Sequence, residues 1–396
     1  MNKTKIKIVL LAFIFLSFTN LNIQSQVLPG GDGTIIGQTI KEGARPILTG
    51  MPMLLIAPDS RAGSMGDVGA ASTPDANSIH WNAAKLAFAE NKTDITFTFS
   101  PWLRELTNDI ALSYLAGYYK LNERSAVGAS LTYFSLGDIT FTNENGEDQG
   151  IYMPNEFAVD VSYAMKLTDN LSASVTGRYI RSDLTQGQMV GTQKTFPGQT
   201  GAADVGLYYQ HAIYSERPSN YALGLQISNL GGKISYSNNN RSKDFLPANL
   251  RLGGRYTTSF DQFNEVSFML DFTKLLVPTP AVYDDEGNVV AGMESEETGV
   301  LQGAIQSFYD APNGFVEEMQ EISISAGTEY WYKKTFAVRA GYFYENAKKG
   351  NRQYLTFGAG LKYNVLKLDL SYLITTAKVS NNPLKNTLRV SLSFEI

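Results

Sequence analysis

Few side chains in this sequence have the types and spacing that catalysis requires. The 396 residues contain no cysteine, which excludes a thiolate nucleophile, a thiolate metal site and a disulfide framework. The two histidines, His80 and His211, stand far apart, and neither lies in a pattern typical of a catalytic triad. The glycine pairs at 30–31 and 231–232 do not follow a strand and open a helix, as dinucleotide-binding motifs do. We therefore expect neither enzyme activity nor a cofactor or metal site.

An acidic segment near residues 276–320 is the most unusual part of the chain. No lysine or arginine stands between Lys274 and Lys333. Apolar residues in this segment recur at helical spacing, which predicts an amphipathic helix whose apolar face needs a cover. One interpretation is that the segment folds onto the rest of its own protein, and another is that it docks into a partner. The candidate partner-binding residues are Val277, Pro278, Pro280, Asp284, Asp285, Glu286, Val300, Leu301, Ile305 and Phe308. A third interpretation is that residues 284–286 bind Ca²⁺, although the spacing of an EF-hand is absent.

A second group of charged residues lies closer to the N-terminus, in a region without regular alternation. Asp59 and Arg61 are separated by one residue, and Asp67 follows them. One interpretation is that these charges lock the region to opposite charges elsewhere by charge-assisted hydrogen bonds. The other is that they gate a movable element. His80 lies in the same region, where a structural hydrogen bond is the simpler role. The candidate contact residues are Asp59, Arg61, Asp67, Trp81 and Asn82.

The elements that must position these residues are strands. From Thr93 to the last residue, apolar and polar side chains alternate repeatedly with a period of two. Strands are predicted near 93–102, 109–120, 125–134, 157–166, 170–181, 202–211, 220–229, 248–258, 264–275, 321–331, 335–345, 353–363, 365–374 and 385–396. Their lengths, about 10 to 12 residues, suit tilted strands that cross a bilayer. An even number of strands is typical of outer-membrane barrels.

Charged residues recur on the polar face of these strands. Both signs are mixed, which predicts a solvated lumen whose charges pair with one another and with a plug, rather than an ion-selective pore. The charged residues on this face are Asp160, Arg178, Asp204, Arg251, Arg255, Asp271, Arg339, Lys362, Lys367, Asp369 and Arg389.

The connections between the predicted strands alternate between short and long. Short connections lie near 121–124, 167–169, 259–263, 332–334 and 364, and long ones near 135–156, 182–201, 230–247 and 276–320. Outer-membrane barrels have short periplasmic turns and longer extracellular loops. The sequence therefore predicts an all-β membrane protein, a 14-stranded antiparallel transmembrane barrel over residues 93–396.

Aromatic residues recur at the strand ends and predict girdles at the two membrane interfaces. They are Trp102, Tyr118, Tyr119, Tyr208, Tyr209, the run 330–332 and the run 342–344.

The residues before the barrel divide into two parts. Residues 1–25 have lysines, then a short apolar stretch, then small and polar residues, which is the pattern of a cleaved export signal. No later window supplies the roughly 18 apolar residues of a spanning helix. Residues 26–92 lack alternation and are rich in glycine, proline and alanine, which predicts an irregular plug in the lumen with a helical turn near 82–88.

The net charge of -5 provides no basic surface for nucleic acid.

Three short stretches carry a family resemblance. They are APDSRAGSMGDVG at 57–69, SIHWNAAKL at 78–86 and ISNLGG at 227–232. These stretches resemble the PorV (LptO) family of outer-membrane barrels of the type IX secretion system, within the FadL-like group of 14-stranded barrels with an N-terminal hatch. One departure is Asn82-Ala83-Ala84, where such proteins often have Asn-Pro-Ala.

The resemblance implies a non-enzymatic role in protein secretion from the outer membrane. The implied partners are an SprA-type translocon barrel, secreted cargo recognised through its C-terminal domain, a PorU-type sortase of the surface attachment complex, and outer-membrane lipid. A competing hypothesis is a FadL-type channel for a hydrophobic small molecule. A channel of this kind needs a continuous apolar pocket at the hatch, whereas a secretion component needs a sealed lumen and loops suited to protein.

Overall fold

The computed structural model describes residue 38 and residues 44–103, 109–142, 148–187, 189–190, 193–214, 216–236, 243–293, 298–377 and 384–396. All of them lie within one compact unit, Asp32–Ile396. The expected signal segment, residues 1–25, lies outside the described residues.

Fourteen antiparallel strands form a closed barrel. Each strand pairs with the next along the chain, and the last strand pairs with the first, with Phe97 opposite Leu392. The strands are β1 (Thr93–Pro101), β2 (Ile110–Asn122), β3 (Ser125–Leu136), β4 (Asn155–Lys166), β5 (Leu171–Asp183), β6 (Gly198–Ile213), β7 (Ser219–Gly231), β8 (Asn249–Ser259), β9 (Asn264–Leu275), β10 (Ser323–Tyr332), β11 (Phe336–Tyr344), β12 (Gln353–Tyr363), β13 (Leu366–Thr375) and β14 (Leu388–Glu395). The predicted fold class is confirmed.

The wall of the barrel has the polarity of a membrane protein. In β1, Thr96 and Thr98 are buried on the inner face, whereas Ile95, Phe97 and Phe99 are exposed on the outer face. An outer face built from large apolar side chains suits the hydrocarbon of a bilayer. Among the described helices, none combines the length and the apolar content that a membrane-spanning helix requires.

Neighbouring aromatic residues divide between the two faces of the wall. Tyr118 and Tyr208 are buried on the inner face, and so is Trp102 just after β1, whereas Tyr119 and Tyr332 are exposed outside. The expectation that all the aromatic strand ends form interfacial girdles is therefore wrong for the inward ones. The reason is that adjacent side chains in a strand point to opposite faces.

Residues 44–92, which we name the inner segment, precede β1. Their short helices are a 3₁₀ turn at Pro52–Leu55, α1 (Ser60–Gly63), α2 (Ser78–Trp81) and a 3₁₀ helix at Ala83–Phe88. The carboxylate of Asp59 caps α1 by accepting the Ala62 N–H at 2.8 Å. The side chain of Asn82 accepts the Ala84 N–H at 3.2 Å in the same way. The helical turn predicted near residues 82–88 is confirmed.

The connections segregate by length at the two ends of the barrel. The short-turn end carries 123–124, 167–170, 214–218, 260–263, 333–335 and 364–365. The long-loop end carries 102–109, 137–154, 184–197, 232–248, 276–322, 345–352 and 376–387. Three of these loops contain small hairpins, which pair Ile139–Thr142 with Asp148–Tyr152, Met189–Val190 with Gln193–Lys194, and Val282–Tyr283 with Val289–Ala291.

We name residues 276–322 the long loop. It contains α3 (Val300–Gln306) and α4 (Phe315–Gln320). The helix predicted there from the spacing of apolar residues corresponds to α3.

The segregation of loop lengths fixes an orientation that can be measured. An epitope tag inserted at Asn288, in the long loop, should be reached by antibody on intact cells, because long loops face outward in outer-membrane barrels. A tag at Asn364, in a short turn, should be reached only after permeabilisation. Labelling of Asn364 but not Asn288 on intact cells would show that the barrel has the opposite orientation.

On the outward apolar face, the free-energy cost of a charged side chain should fall as its distance from the bilayer centre increases. Leu392 lies near the middle of β14 and faces outward opposite Phe97. We expect Leu392→Arg to cost about 2–4 kcal/mol of unfolding free energy, and Leu366→Arg, beside the short turn at 364–365, only about 0–1 kcal/mol. Urea unfolding in lipid vesicles measures both. Equal losses would mean that one of these residues does not face lipid at the stated depth.

Candidate functional site

The inner segment lies inside the barrel, because it contacts strands all round the closed wall. Its hydrogen bonds reach β14 from Ser60, β12 from Gly66, β9 from Gly69, β1 from Ala76 and β5 from Ala84. A single segment can touch all of these strands only from the lumen. The inner segment therefore occupies the interior at the level of these contacts.

Arg61 joins the inner segment to the wall through a buried series of ion pairs. Its guanidinium donates to both carboxylate oxygens of Glu329 on β10, at 3.0 and 2.7 Å, and to Asp75 at 2.9 Å. Glu329 also accepts from Arg339 of β11 at 2.6 Å, and Arg339 donates to Asp369 of β13 at 2.7 Å. Two-point pairing of this kind is strong and directional. Arg61 thus locks the segment to an opposite charge on the wall, as the first interpretation of this residue states.

Asp59 differs from the expectation that it pairs with a charge elsewhere. One of its oxygens caps α1, and the other accepts the indole N–H of Trp81 at 2.6 Å. Burial and the nearby charge of Asp75 raise the pKa of the Asp59 carboxyl. The contacts of Asp59 therefore join α1 to α2 within the inner segment.

Asp67 and Asn82 both reach the wall by hydrogen bonds. Asp67 accepts the hydroxyl of Tyr354 on β12 at 2.5 Å, and its backbone has a φ of 63°, which is unusual for a residue other than glycine. The Asn82 amide donates to the carbonyl of Leu207 on β6 at 2.9 Å and to that of Ala70 at 3.1 Å. Both candidates therefore contact the wall through hydrogen bonds.

Lys85 is a contact residue that sequence reasoning did not single out. Its buried ammonium donates to the Gly69 carbonyl at 2.7 Å and to the Ser72 hydroxyl at 2.8 Å. Burial lowers the pKa of Lys85 to about 8, against the attraction of Asp75. The only signal in the sequence is a lone lysine in an apolar helical turn, and that pattern is equally typical of a surface position.

Glycines on the inner face let the inner segment approach the wall backbone to backbone. A Cβ added at Gly341 of β11 would overlap the backbone of Met65 and Gly66. A Cβ at Gly224 of β7 would overlap the carbonyl of Ala70. Because no side chain fits at such distances, these glycines set the path of the inner segment together with the ion pairs.

The predicted pairing of charges in the lumen is confirmed for several wall residues. Arg178 of β5 donates to Asp160 at 2.6 Å and to Asp204 at 3.0 Å. Within the described part of the chain, two other arginines, Arg255 and Arg389, each keep Nε and Nη1 without a hydrogen-bond partner. The lumen thus contains paired charges of both signs together with some unpaired donors.

A cavity of about 530 Å³ lies at the short-turn end of the lumen. Charged residues of both signs line it, among them Asp75, Arg255 and Lys367. Closer to the long-loop end, a gap beside His80 and Arg251 measures only about 10 Å³, which is room for about one water molecule. Pockets for hydrophobic solutes have mostly apolar linings. Neither of these two cavities has a mostly apolar lining.

An ion-pair cluster fastens the long loop to the barrel. Glu317 of α4 accepts from Arg45 of the inner segment at 2.7 Å and from Lys349 at 2.6 Å. Glu321 accepts from Lys349 at 2.8 Å and from Lys274 of β9 at 2.6 Å. The cluster, which we name the clamp, consists of Arg45, Lys274, Lys349, Glu317, Glu318 and Glu321. Part of the long loop thus folds onto its own protein, and cations from distant parts of the sequence compensate its negative charge.

Large apolar side chains of both loop helices remain exposed. In α3, Leu301 is 67% exposed and Ile305 is 64% exposed, and in α4, Phe315 is 77% exposed and Val316 is 68% exposed. We name the exposed set the loop patch, which consists of Leu301, Ile305, Phe308, Phe315, Val316 and Met319. Three of the predicted partner-binding residues, Leu301, Ile305 and Phe308, therefore lie at the surface.

The remaining partner-binding candidates have different surroundings. Val277 and Pro278 are buried and Val300 is half-buried, whereas Pro280 is exposed. The residues Asp284, Asp285 and Glu286 are exposed in the turn of the small hairpin. The carboxylate of Asp284 accepts two backbone N–H groups of its own turn, at 3.0 and 2.8 Å. In the regions that the structure describes, no three His, Cys, Asp or Glu side chains are grouped in a way that could hold a metal ion.

Comparisons with known proteins give one family match and several structural likenesses. The family model of the type IX secretion system protein PorV matches residues 39–282. No curated protein matches the chain. The toluene transporter TbuX of Ralstonia pickettii is 15% identical, with 86% of this chain and 98% of that chain covered and a TM-score of 0.46. A FadL homologue of Pseudomonas aeruginosa is 9% identical, with 89% and 99% covered and a TM-score of 0.41.

The family match extends over more than half of the chain and includes the inner segment and β1 to β9. The wall has the closed form and the outward apolar face of an outer-membrane barrel. The protein is thus located in the outer membrane, and the chain belongs to the PorV family of type IX secretion system proteins.

Proposed function

We propose that this protein is a non-enzymatic component of type IX secretion that binds an SprA-type translocon barrel and cargo bearing a C-terminal signal. It passes the cargo to a surface attachment complex that contains a PorU-type sortase. The role in secretion follows from the family. The single observation that carries the binding role is the loop patch, a set of large apolar side chains that stay exposed while the clamp fastens α4 to the barrel.

The arrangement of α4 supports a docking role for the loop patch. Its carboxylates, Glu317 and Glu318, are buried in the clamp, whereas its apolar residues Phe315, Val316 and Met319 are exposed. A helix that only covered the barrel mouth would place these apolar side chains inward. Exposed apolar groups on the aqueous side of a protein typically mark a protein-binding surface. Covering each large side chain contributes about 1.5–3 kcal/mol to association.

In this proposal the inner segment is the plug of the barrel. Its contacts around the whole wall and the ion pairs of Arg61 support a segment that stays seated. Seating keeps the lumen closed while the loops handle protein outside. The cargo therefore passes along the outer surface and does not enter this barrel.

The test replaces apolar contacts of the loop patch and leaves the clamp intact. Leu301→Ser, Ile305→Ser and Phe315→Ser combined should leave the barrel folded, because these side chains are exposed. Copurification of the translocon should fall by about tenfold or more, since three desolvated anchors are removed. Secreted proteins with the C-terminal signal should accumulate in the periplasm. Immunoblots of cell fractions and of the purified complex measure both effects.

A matched control reverses charge on the same loop. Asp284→Lys, Asp285→Lys and Glu286→Lys change exposed residues of the hairpin outside the loop patch. Their effect should be smaller, and stronger at low salt, because exposed charges are screened over about 10 Å at 0.1 M. Normal secretion by the loop-patch variant together with lost uptake of a hydrophobic compound would replace this proposal with a FadL-type channel.

A further inference from the structure

An apolar groove of about 730 Å³ lies in the wall between β6 and β9. Gly254 of β8 is central to it, because it lies in register between Leu223 of β7 and Leu270 of β9. Leu252 and Tyr256 flank Gly254 on its own strand, and they are exposed on the outer face. The groove is therefore a notch in the lipid-facing side, one side chain deep and surrounded by large apolar residues.

Packing inside the protein does not require a glycine at position 254. A Cβ added there would meet only Leu223 at 3.7 Å and the Ala222 carbonyl at 4.0 Å, which are ordinary contacts. The preceding residue, Gly253, faces inward, where a Cβ would overlap the carboxylate of Asp271. Of this pair, only Gly253 serves the close packing of the lumen. The missing side chain at Gly254 instead leaves space on the outer face.

The size and rim of the groove match one leaflet of a bilayer. From the level of Phe272 to that of Phe268 it extends four residues along β9, or about 13 Å at roughly 3.3 Å per residue. The hydrocarbon core is about 30 Å thick, so the groove is no longer than one leaflet is deep. Toward the short-turn end, the ring of Tyr221 lies 6.1 Å from that of Tyr209 and 5.6 Å from that of His211. Rings with an apolar body and a polar tip suit the interface between hydrocarbon and headgroups.

We propose that this groove binds one acyl chain of a phospholipid from the leaflet at the short-turn end, with the headgroup at the rim formed by Tyr209, Tyr221 and His211. The lining is almost entirely apolar, and a charged or polar occupant is costly at this depth. Within a bilayer an apolar chain gains no hydrophobic free energy by moving from lipid to protein. Affinity therefore comes from the van der Waals fit of the chain to the notch, and filling the notch weakens it.

The test measures retention of a defined phospholipid. The full-length barrel is purified in mild detergent, stripped of lipid, and titrated with dioleoylphosphatidylethanolamine while native mass spectra are recorded. The unmodified protein should retain one lipid. Gly254→Leu should bind it about tenfold more weakly, because the leucine occupies the notch and removes the packing surface. Gly254→Ala should lie between the two, and it also serves if the leucine variant does not fold.

The control is Gly177→Leu on the outer face of β5. No atom lies within 4 Å of a Cβ added at Gly177, and this residue does not line the groove. Its lipid retention should equal that of the unmodified protein. Equal retention by the Gly254 variants and the unmodified protein would overturn the proposal. It would also be overturned if those variants kept the lipid and lost a copurifying outer-membrane protein, because the groove would then be a protein interface.

Discussion

Arg61→Met is expected to destabilise the folded protein by about 3–5 kcal/mol, because it leaves buried carboxylates without their partner. Glu329 loses its two-point contact at 3.0 and 2.7 Å, and Asp75 loses its contact at 2.9 Å. Urea unfolding in detergent, followed by tryptophan fluorescence, measures the loss. Arg61→Lys keeps the charge but not the fork of donors, so its effect should be intermediate.

A double substitution separates the ion pair from general packing. The double variant combines Arg61→Met with Glu329→Gln. Arg61→Met alone leaves the Glu329 carboxylate without the Arg61 guanidinium, and Glu329→Gln removes that carboxylate. The loss of unfolding free energy in the double variant should therefore be smaller than the sum of the losses in the two single variants. Additive losses would show that Arg61 and Glu329 do not stabilise each other, and that the lock is elsewhere.

Gly341→Ala should have an effect of similar size through a different mechanism. Its Cβ would overlap the backbone of Met65 and Gly66, which cannot move aside as a flexible side chain can. Overpacking typically costs about 1–3 kcal/mol, and the upper end applies where backbone is displaced. The inner segment should then become accessible to protease while the wall stays folded. Limited proteolysis and the heat-dependent gel mobility of the barrel measure these two effects.

The control for this substitution lies on the outer face. Gly201→Ala on β6 would place its Cβ 3.6 Å from the Arg178 carbonyl, an ordinary contact. It should leave both the protease pattern and the gel mobility unchanged. A protected inner segment in Gly341→Ala would mean that the close approach at Met65 is not needed for seating.

The strands of the wall could be predicted well because the pattern that identifies them lies in neighbouring residues. A strand with one face toward lipid and one toward a polar lumen must alternate, and the pattern of β14 from Leu388 to Glu395 is visible in adjacent residues. The largest difference in strand bounds is at β6, which begins at Gly198 and not near residue 202. Its first residues alternate weakly, so the pattern does not mark where pairing begins.

The partners inside the lumen could not be predicted, since they depend on registers of distant strands. Arg61 and Glu329 are separated by 268 positions, and Arg45 and Glu317 by 272. The sequence shows that these residues are charged, but not which strand faces which part of the inner segment. The same limit applies to Asp59. Its residue type is equally typical of an ion pair and of a helix cap, and its contacts with Ala62 and Trp81 are those of a cap and a local hydrogen bond.

Arg45 connects the clamp, which fastens the long loop, to the inner segment in the lumen. Because Arg45 belongs to the inner segment and Glu317 to the long loop, their 2.7 Å contact couples two equilibria. A partner that binds the clamped loop more tightly also favours the seated segment. By thermodynamic reciprocity, seating of the segment then raises the affinity for that partner by the same factor by which the partner favours seating. Loosening the segment within the barrel therefore weakens a complex formed at the cell surface, without any change in the contact residues of that complex.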